Sequence, residues 1–494
     1  MKSIVLCLGL VCGAGAAAAQ QRVPATLSLA DALSIARDHN PSYRQTLNNR
    51  GPAAWATRNA FANLLIPQVT AQGSLGYSGT GSQRFLTSNF SQAYATVSSN
   101  YSLGLDWTLS GSTLSQPGLR HAELTAADAD INGALATLDA GVTQQYLTVL
   151  QARDNVGVAE QLLGRDQEFL RLAQARYDVG QATLIDVRQA QVALGQAKVG
   201  LLRAHTAQRV EKLRLFEQMG VSAPTAVDSV GLTDTFMIQS PAWKLEDLLT
   251  MAEAQNPSLA ALRARERSSS WGVKAAASGY GPSLSLSAGW SGFTQAFARS
   301  GDLNQVIIGS QSASGQQYVA CQDDNTIRNS SGLGPLDCSG FVWTAAQEQS
   351  MRDQNSIFPF HFIGQPFQAR LTVTLPLWTN FQQSQLVAVA KSQHQDLEEG
   401  VRARGLGLQT EVSQAYYTLQ TAFQSVGIQD TNRAVGHEQL QLATDRYKVG
   451  SGTFFELLDA QVTALRAETD YIGAVYDYHK AVAALEAAVG RSLR

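Results

Sequence analysis

Polar and apolar residues alternate in four stretches of this chain. In residues 101–110, Tyr101, Leu103, Leu105, Trp107 and Leu109 fall on one face; Ser102, Gly104, Asp106, Thr108 and Ser110 fall on the other. Residues 69–78 set Val69, Ala71, Leu75 and Tyr77 against Thr70, Gln72, Ser74 and Ser78. Leu284, Leu286, Ala288 and Trp290 alternate with serines in 283–291, and Phe367, Ala369, Leu371, Val373, Leu375 and Leu377 alternate with Gln368, Arg370, Thr372 and Thr374. A period of two is that of a β-strand with one apolar side. Each stretch is close to the ~9–11 residues a tilted strand needs to cross a bilayer. A soluble sheet with one face on a core alternates in the same way, so the rest of the chain has to separate the two readings.

A second pattern has a period of seven. Leu135, Val142, Val149 and Val156 recur at that spacing, with Leu138, Ala152 and Ala159 three residues after these steps; Val412, Leu419 and Val426 repeat the pattern beside Leu408, Ala415 and Ala422. This is coiled-coil patterning with small residues at the seam, which lets helices approach closely. A helix over 114–178 is roughly 90–100 Å long at ~1.5 Å per residue, too long for the interior of an ordinary globule. A dimeric structural rod would use such helices but would not need the strands.

The chain is written twice. Leu29-Ala-Asp-Ala-Leu-Ser-Ile-Ala-Arg-Asp-His-Asn40-Pro41-Ser42 is echoed by Leu245-Glu-Asp-Leu-Leu-Thr-Met-Ala-Glu-Ala-Gln-Asn256-Pro257-Ser258. A short helix ends near each Asn, and each Pro opens the next helix, where a missing N–H costs little. The long helices then finish alike, at Arg176-Tyr177-Asp178-Val179-Gly180 and Arg446-Tyr447-Lys448-Val449-Gly450. Gly180 and Gly450 suit left-handed C-caps. New helices start at Thr183-x-x-Asp186 and Thr453-x-x-Glu456; the second reads as a capping box, and the first has the shorter acid in the same place. The expected organisation is a first repeat over 20–220, a linker over 221–243 without helical pattern, and a second repeat over 244–494. Strands are expected at about 66–79, 100–110, 282–292 and 367–377, with long helices at 114–178, 183–219, 382–448 and 453–489. The repeats differ chiefly in a Gly-, Ser-, Gln- and Asn-rich stretch, 292–366, read as a long loop.

Composition adds export. Lys2, an apolar run over residues 4–11 and Ala17-x-Ala19 read as a signal peptide over 1–19, cut before Gln20. Cys7 and Cys12 follow Leu6 and Val11 rather than the small residue a lipidation signal wants. A net charge of −3 gives no sign of nucleic-acid binding. Cys321 and Cys338 lie in the long loop of an exported chain, so a disulfide is expected in preference to two free thiols. No His-Glu-x-x-His, phosphate-binding glycine loop or Gly-x-Ser-x-Gly occurs, so neither an enzyme nor a cofactor or metal is expected.

Four strands cannot close on themselves, and an open edge in lipid leaves unpaired N–H and C=O groups at several kcal/mol each. Identical subunits must therefore complete the sheet. The duplicated Asn-Pro-Ser openings, the Arg-Tyr-x-x-Gly tips and the run Thr453-Phe-Phe-Glu456-Leu-Leu-Asp459-Ala460 closely resemble the TolC family of outer-membrane efflux and secretion channels, over essentially the whole mature chain. The resemblance implies a membrane α+β fold: a homotrimer whose twelve-stranded β-barrel stands on a periplasmic tunnel of antiparallel helices, belted by the linker and chain ends. It also implies a passive duct that meets a periplasmic adaptor and an inner-membrane pump, for small molecules or, alternatively, dedicated to type I protein secretion. A structural coiled-coil protein of the envelope is the reading from another class.

Within that resemblance, Glu456 and Asp459 share a helix face and would form two acidic rings at the periplasmic mouth, where carboxylates favour cations; plain capping and a solvated acid are the alternatives. Arg176, Tyr177, Gly180, Thr183, Asp186, Arg446, Tyr447, Gly450 and Thr453 would build the gating tips and the adaptor contact, or only pin the helix ends. Gly452 departs from the family pattern, which has a basic residue there. Tyr77, Tyr101, Trp107, Trp290, Phe367 and Trp378 are candidates for a membrane-interface girdle, with core packing as the other account.

Overall fold

A computed structural model describes residues 24–85, 88–92, 94–356 and 358–493. The signal peptide expected over 1–19, with Cys7 and Cys12, lies outside the described residues. In chain order the elements are β1 (Thr26–Leu27), α1 (Leu29–His39), α2 (Pro41–Asn48), α3 (Arg50–Leu65), β2 (Gln68–Ser78), β3 (Gly81–Phe85), β4 (Ser88–Gln92) and β5 (Thr96–Leu109). The first long hairpin is α4 (Gly111–Asp178) and α5 (Leu184–Met219), followed by β6 (Gly231–Leu232), α6 (Leu245–Gln255) and α7 (Pro257–Ala277). Then come β7 (Ser283–Phe297), α8 (Ser300–Ser330), α9 (Ala345–Ser356), β8 (Ile363–Gly364), β9 (Gln368–Thr374), α10 (Gln382–Lys448) and α11 (Phe454–Val489). No described helix is long and apolar enough to cross a membrane.

Two compact units result. One holds the described residues of Met1–Thr57, Gly118–Gly272 and Val389–Arg494, and its organisation follows the repeat. Asn40 closes α1 (its N–H bonds Ala36 O at 2.8 Å) and caps α2 (its side chain accepts from Tyr43 N at 3.0 Å). The same side chain donates from Nδ2 to Gln218 O at the end of α5, at 2.7 Å. Asn256 does all three in the second repeat, donating to Ala488 O of α11 at 3.1 Å. Each return helix therefore ends against the Asn-Pro corner of its own repeat. The chain leaves that contact through Gly220 and Gly490, at φ 73° and 88°. A Cβ on Gly220 would lie 2.6 Å from His39 O, and one on Gly490 would lie 3.0 Å from Pro257 Cδ, so glycine is required for space as well as for φ.

The heptads form the seams. Val142, Val149 and Val156 are buried, as are Val412, Leu419 and Val426. Val142 and Val149 join Tyr146, Leu215, Phe216, Met219 and Leu27 in one core; the second set joins Leu248, Leu259, Val482, Leu485 and Val489 in another. The Tyr146 hydroxyl donates to Leu27 O at 2.9 Å, and β1 pairs in parallel with β6. The linker over 221–243 thus carries a strand that closes the first core. A third core, Phe169, Ala173, Val187, Leu440, Tyr447, Phe454 and Leu457, lies at the hairpin tips. Beside it the seam is interrupted by Asp166 and Gln461, each 4 % exposed, with Gln461 Nε2 donating to Asp166.

The other unit, Arg58–Pro117 and Val273–Ala388, is built on one antiparallel sheet in the order β2–β5–β7–β9, with the short β8 in line with β9 on the same side of β7. The register keeps the alternation in phase across all four positions. Val69 faces Leu105, which faces Ala288 and then Ala369; on the other face, Gln68 faces Asp106, Ser287 and Arg370. One face is therefore apolar from edge to edge and the other polar. Val69, Leu75, Tyr77, Leu103, Trp290, Leu371 and Val373 are 40–70 % exposed on the apolar face.

Two sequence expectations are corrected here. The stretch 292–366 is not a long loop. The strand β7 continues to Phe297, and α8 and α9 follow, with Cys321 of α8 joined to Cys338 by a disulfide. Polar composition suggested loop, but residues 300–330 contain no proline, and Leu303 and Ile307, four apart, bury one face of α8. Asp302 and Asn355 also accept from Ala95 N and Phe297 N at 3.0 and 2.6 Å, fastening the helices to the strand ends. The strand expected over 100–110 begins at Thr96, because residues 96–99 pair with β7 although they lack its apolar alternation.

Gly220→Ala should lower the melting temperature well beyond Gly180→Ala. Both pay the left-handed penalty of about 1–2 kcal/mol, but only Gly220 has backbone in the way, and nothing stands within 4 Å of a Cβ on Gly180. Equal losses would show that the Asn-Pro corner yields. Burial raises the Asp166 carboxyl above its ordinary 3.8, and the Gln461 hydrogen bond opposes this only in part. A raised folded value means that its contribution is fully present below 3.8 and is lost as pH rises through the folded value. Asp166→Asn should therefore melt above the parent at pH 7, by a margin that shrinks as pH falls toward 4. A margin independent of pH would rule out ionisation as the cost.

Candidate functional site at the hairpin tips

The tips bring together the end of α4, the start of α5, the end of α10 and the start of α11. In the first, Gly180 at φ 77° turns the chain while Gln181 N reaches back to Arg176 O at 2.7 Å; in the second, Gly450 at φ 83° does so with Ser451 N on Arg446 O at 3.0 Å. These bonds satisfy the carbonyls a helix end leaves free.

The starts of the return helices differ. Thr183 and Asp186 form the complete reciprocal box: Asp186 N donates to Thr183 Oγ1 at 3.3 Å, and Thr183 N donates to Asp186 Oδ2 at 2.9 Å. Thr453 accepts from Glu456 N at 3.2 Å, but the Glu456 carboxylate does not return the bond. It lies 3.9 Å from Arg446 Nη2 and is half exposed. The box read at Thr453 and Glu456 is thus only half made, whereas the shorter acid, Asp186, closes its own. Glu456 is left facing outward beside the exposed Asp459. Both line a groove of about 510 Å³ with Glu438, Gln439 and Arg446.

The tyrosines also diverge. Tyr447 is 2 % exposed, against 41 % for Tyr177. The Arg176 guanidinium lies over the Tyr447 ring, 4.6 Å from its centroid, and donates to Tyr447 O and, at 3.1 Å, to Gln181 O. One arginine of the first repeat thereby holds the second hairpin through a cation–π contact and one charge-assisted hydrogen bond, while a further bond ties it to its own turn. Burial, with the Asp186 charge adding to it, raises the Tyr447 phenol above its ordinary value, against the pull of Arg176. Of the tip residues singled out from the sequence, the structure brings Arg176, Tyr447 and Asp186 to one junction, with Gln181 beside them; Tyr177 stands outside it. Sequence reasoning missed Asp166, Gln461 and Glu438, none of which belongs to a motif.

It also missed two exposed apolar stripes at heptad spacing. Ile185, Val192, Val199 and Leu213 lie along α5; Ile428, Val435 and Leu442 lie along α10, with Val449 just past its end; all eight are 46–79 % exposed. The aromatic residues on the sheet divide. Tyr77, Trp290, Phe367 and Trp378 are exposed. Tyr101 packs on Phe362 at 4.9 Å, and Trp107 is half-buried with Nε1 donating to Leu64 O at 3.1 Å.

Comparison with known proteins follows the same lines. The model of the outer membrane efflux protein family matches residues 25–221 and 344–491, so 222–343, with α8 and the disulfide, lies outside it. No curated protein matches the chain. Among solved structures, the fold is similar to that of the outer membrane protein VceC of Vibrio cholerae, with 16 % identity over 94 % of this chain and 97 % of that one and a TM-score of 0.67. A membrane protein from Pseudomonas aeruginosa gives 19 % identity over 94 % and 90 %, with a TM-score of 0.68. The outer membrane channel MtrE of Neisseria gonorrhoeae, in its open state, gives 18 % over 94 % and 89 %, with a TM-score of 0.66. The likeness to TolC-type channels read from the tip and Asn-Pro motifs is thereby borne out: the chain belongs to the outer membrane efflux protein family and resides in the outer membrane, with its helices in the periplasm.

Proposed function

We propose that three copies of this chain assemble into a passive exit duct for small molecules, served by a periplasmic adaptor and an inner-membrane pump. The observation that carries this reading is the sheet: apolar across one face, polar across the other, with β2 and β9 each paired on one side only among the described residues. In lipid such edges need partners. Three four-position sheets joined edge to edge give twelve strands, with the apolar face outward and the polar face lining the pore. The stripes on α5 and α10 supply matching seams for the neighbouring subunit, since exposed heptads of this length seek a partner helix. The exposed Tyr77, Trp290, Phe367 and Trp378 suit the lipid interface.

At the tips, Glu456 and Asp459 are free of capping and would stand in two threefold rings that select for cations. Arg176 would hold the hairpins together until the adaptor engages them. Purified trimers in planar bilayers test the arrangement. Cation-selective conductance is expected, with Glu456→Gln and Asp459→Asn together moving the reversal potential toward zero and weakening block by multivalent cations; unchanged selectivity would end the ring assignment. Arg176→Ala removes charge-assisted hydrogen bonds of about 1.5–3 kcal/mol each and should raise single-channel conductance. Lys at that position should restore it only in part, for want of the planar fork. A channel indifferent to both substitutions would mean that the contact merely packs the helix ends. Trimers that conduct no ions at all would favour a structural rod.

A further inference from the structure

Apart from the tips, one side-chain cluster combines an imidazole with carboxylates from two helices. His394 of α10 faces Glu266 of α7 through Nδ1 at 3.7 Å, and faces Glu398, one turn along α10, through Nε2 at 3.4 Å. One ligand atom from each residue lies within 4.8 Å of the other two. Nδ1 is buried and makes no hydrogen bond; the Glu398 side chain is 56 % exposed, whereas those of His394 and Glu266 are 22 % and 27 %.

A neutral imidazole carries one proton, so one of its nitrogens here turns a lone pair toward a carboxylate. Both separations exceed the ~2.7–3.2 Å of a hydrogen bond. The open Nε2–Glu398 gap, by contrast, fits a bridging cation: two bonds of about 2.1 Å meeting near the tetrahedral angle set donor atoms roughly 3.4 Å apart. The i,i+4 spacing holds both donors on one helix face. The other nitrogen is then free to carry the proton toward Glu266, the partner a metal-bound imidazole usually has.

We propose that His394 Nε2 and Glu398 bind a divalent cation of the imidazole-seeking class (Zn²⁺, Ni²⁺ or Cu²⁺), with water completing the shell and Glu266 orienting the ring. Mixed nitrogen and oxygen donors suit these ions, whereas Mg²⁺ and Ca²⁺ prefer oxygen alone. The ion would couple α7 to α10 through the imidazole. The inference needs neither the trimer nor the duct.

Calorimetric titration of the full chain, purified in detergent without a histidine tag, with zinc chloride decides it. The parent should take up one more Zn²⁺ than His394→Ala, and Glu398→Gln, on the exposed side of the cluster, should weaken that site by tenfold or more. Glu266→Gln should leave the site present but about tenfold weaker, the usual effect of losing an orienting carboxylate. Excess Mg²⁺ should not compete. If the parent and His394→Ala take up the same amount of Zn²⁺, the cluster is held by a proton and the proposal fails. It fails equally if Glu398→Gln, folded with the parent's circular dichroism, binds as tightly as the parent.

Discussion

Backbone N–H and C=O groups along the outer sides of β2 and β9, which find no strand partner among the described residues, govern what this molecule can be. In water such edges are tolerable, because solvent bonds to them. In hydrocarbon each unpaired group costs several kcal/mol, and the apolar face of the sheet is exposed as a face meeting lipid would be. Val69, Leu105, Ala288 and Ala369 stand in one row across the sheet; Gln68, Asp106, Ser287 and Arg370 stand in the adjacent row on the opposite face. A slip of one residue at any of the three pairings would put apolar side chains among polar ones. In the proposed assembly, register, lipid exposure and the joining of further copies are therefore one constraint seen at three scales.

The helical unit answers a different demand, that of ending long helices in defined places. Each repeat does so with an Asn-Pro corner that caps one short helix, starts another and accepts the close of its return helix. Asn40 and Gly220 in the first repeat, and Asn256 and Gly490 in the second, make equivalent contacts. The position of the Asn was legible as a helix boundary. Its bond to Gln218 O or Ala488 O was not, because that contact joins residues 178 and 232 positions apart, and no local signal records such a distance.

Local signals served well where one period dominates. Alternation located β2, β7 and β9, and the heptads located the valines and leucines of two cores. They failed where composition and conformation part company. Residues 300–330 look like loop because they are rich in Ser and Gln, yet they form α8, anchored by Leu303 and Ile307. The first residues of β5 are strand because β2 and β7 lie on either side of them. Asp166 was invisible for a simpler reason: a buried carboxyl looks like any exposed acid on a helix until Gln461 is found against it.

At the tips the repeat ceases to be symmetric. Asp186 folds back on Thr183 and closes the cap of its helix. Glu456 leaves the equivalent bond unmade and lies toward Arg446 instead. The arginines diverge in the opposite sense: Arg176 is committed to Tyr447 and Gln181, while Arg446 is largely exposed. The first hairpin thus supplies the bracing cation and ties its own acid into the helix cap, and the second leaves its acids outward over a groove shared with Glu438. Two identical hairpins could not do both, since an acid held in its own cap is not left facing outward and an arginine packed on the other hairpin is not left beside such an acid. Divergence after duplication is therefore what gives this tip a structural half and an electrostatic half.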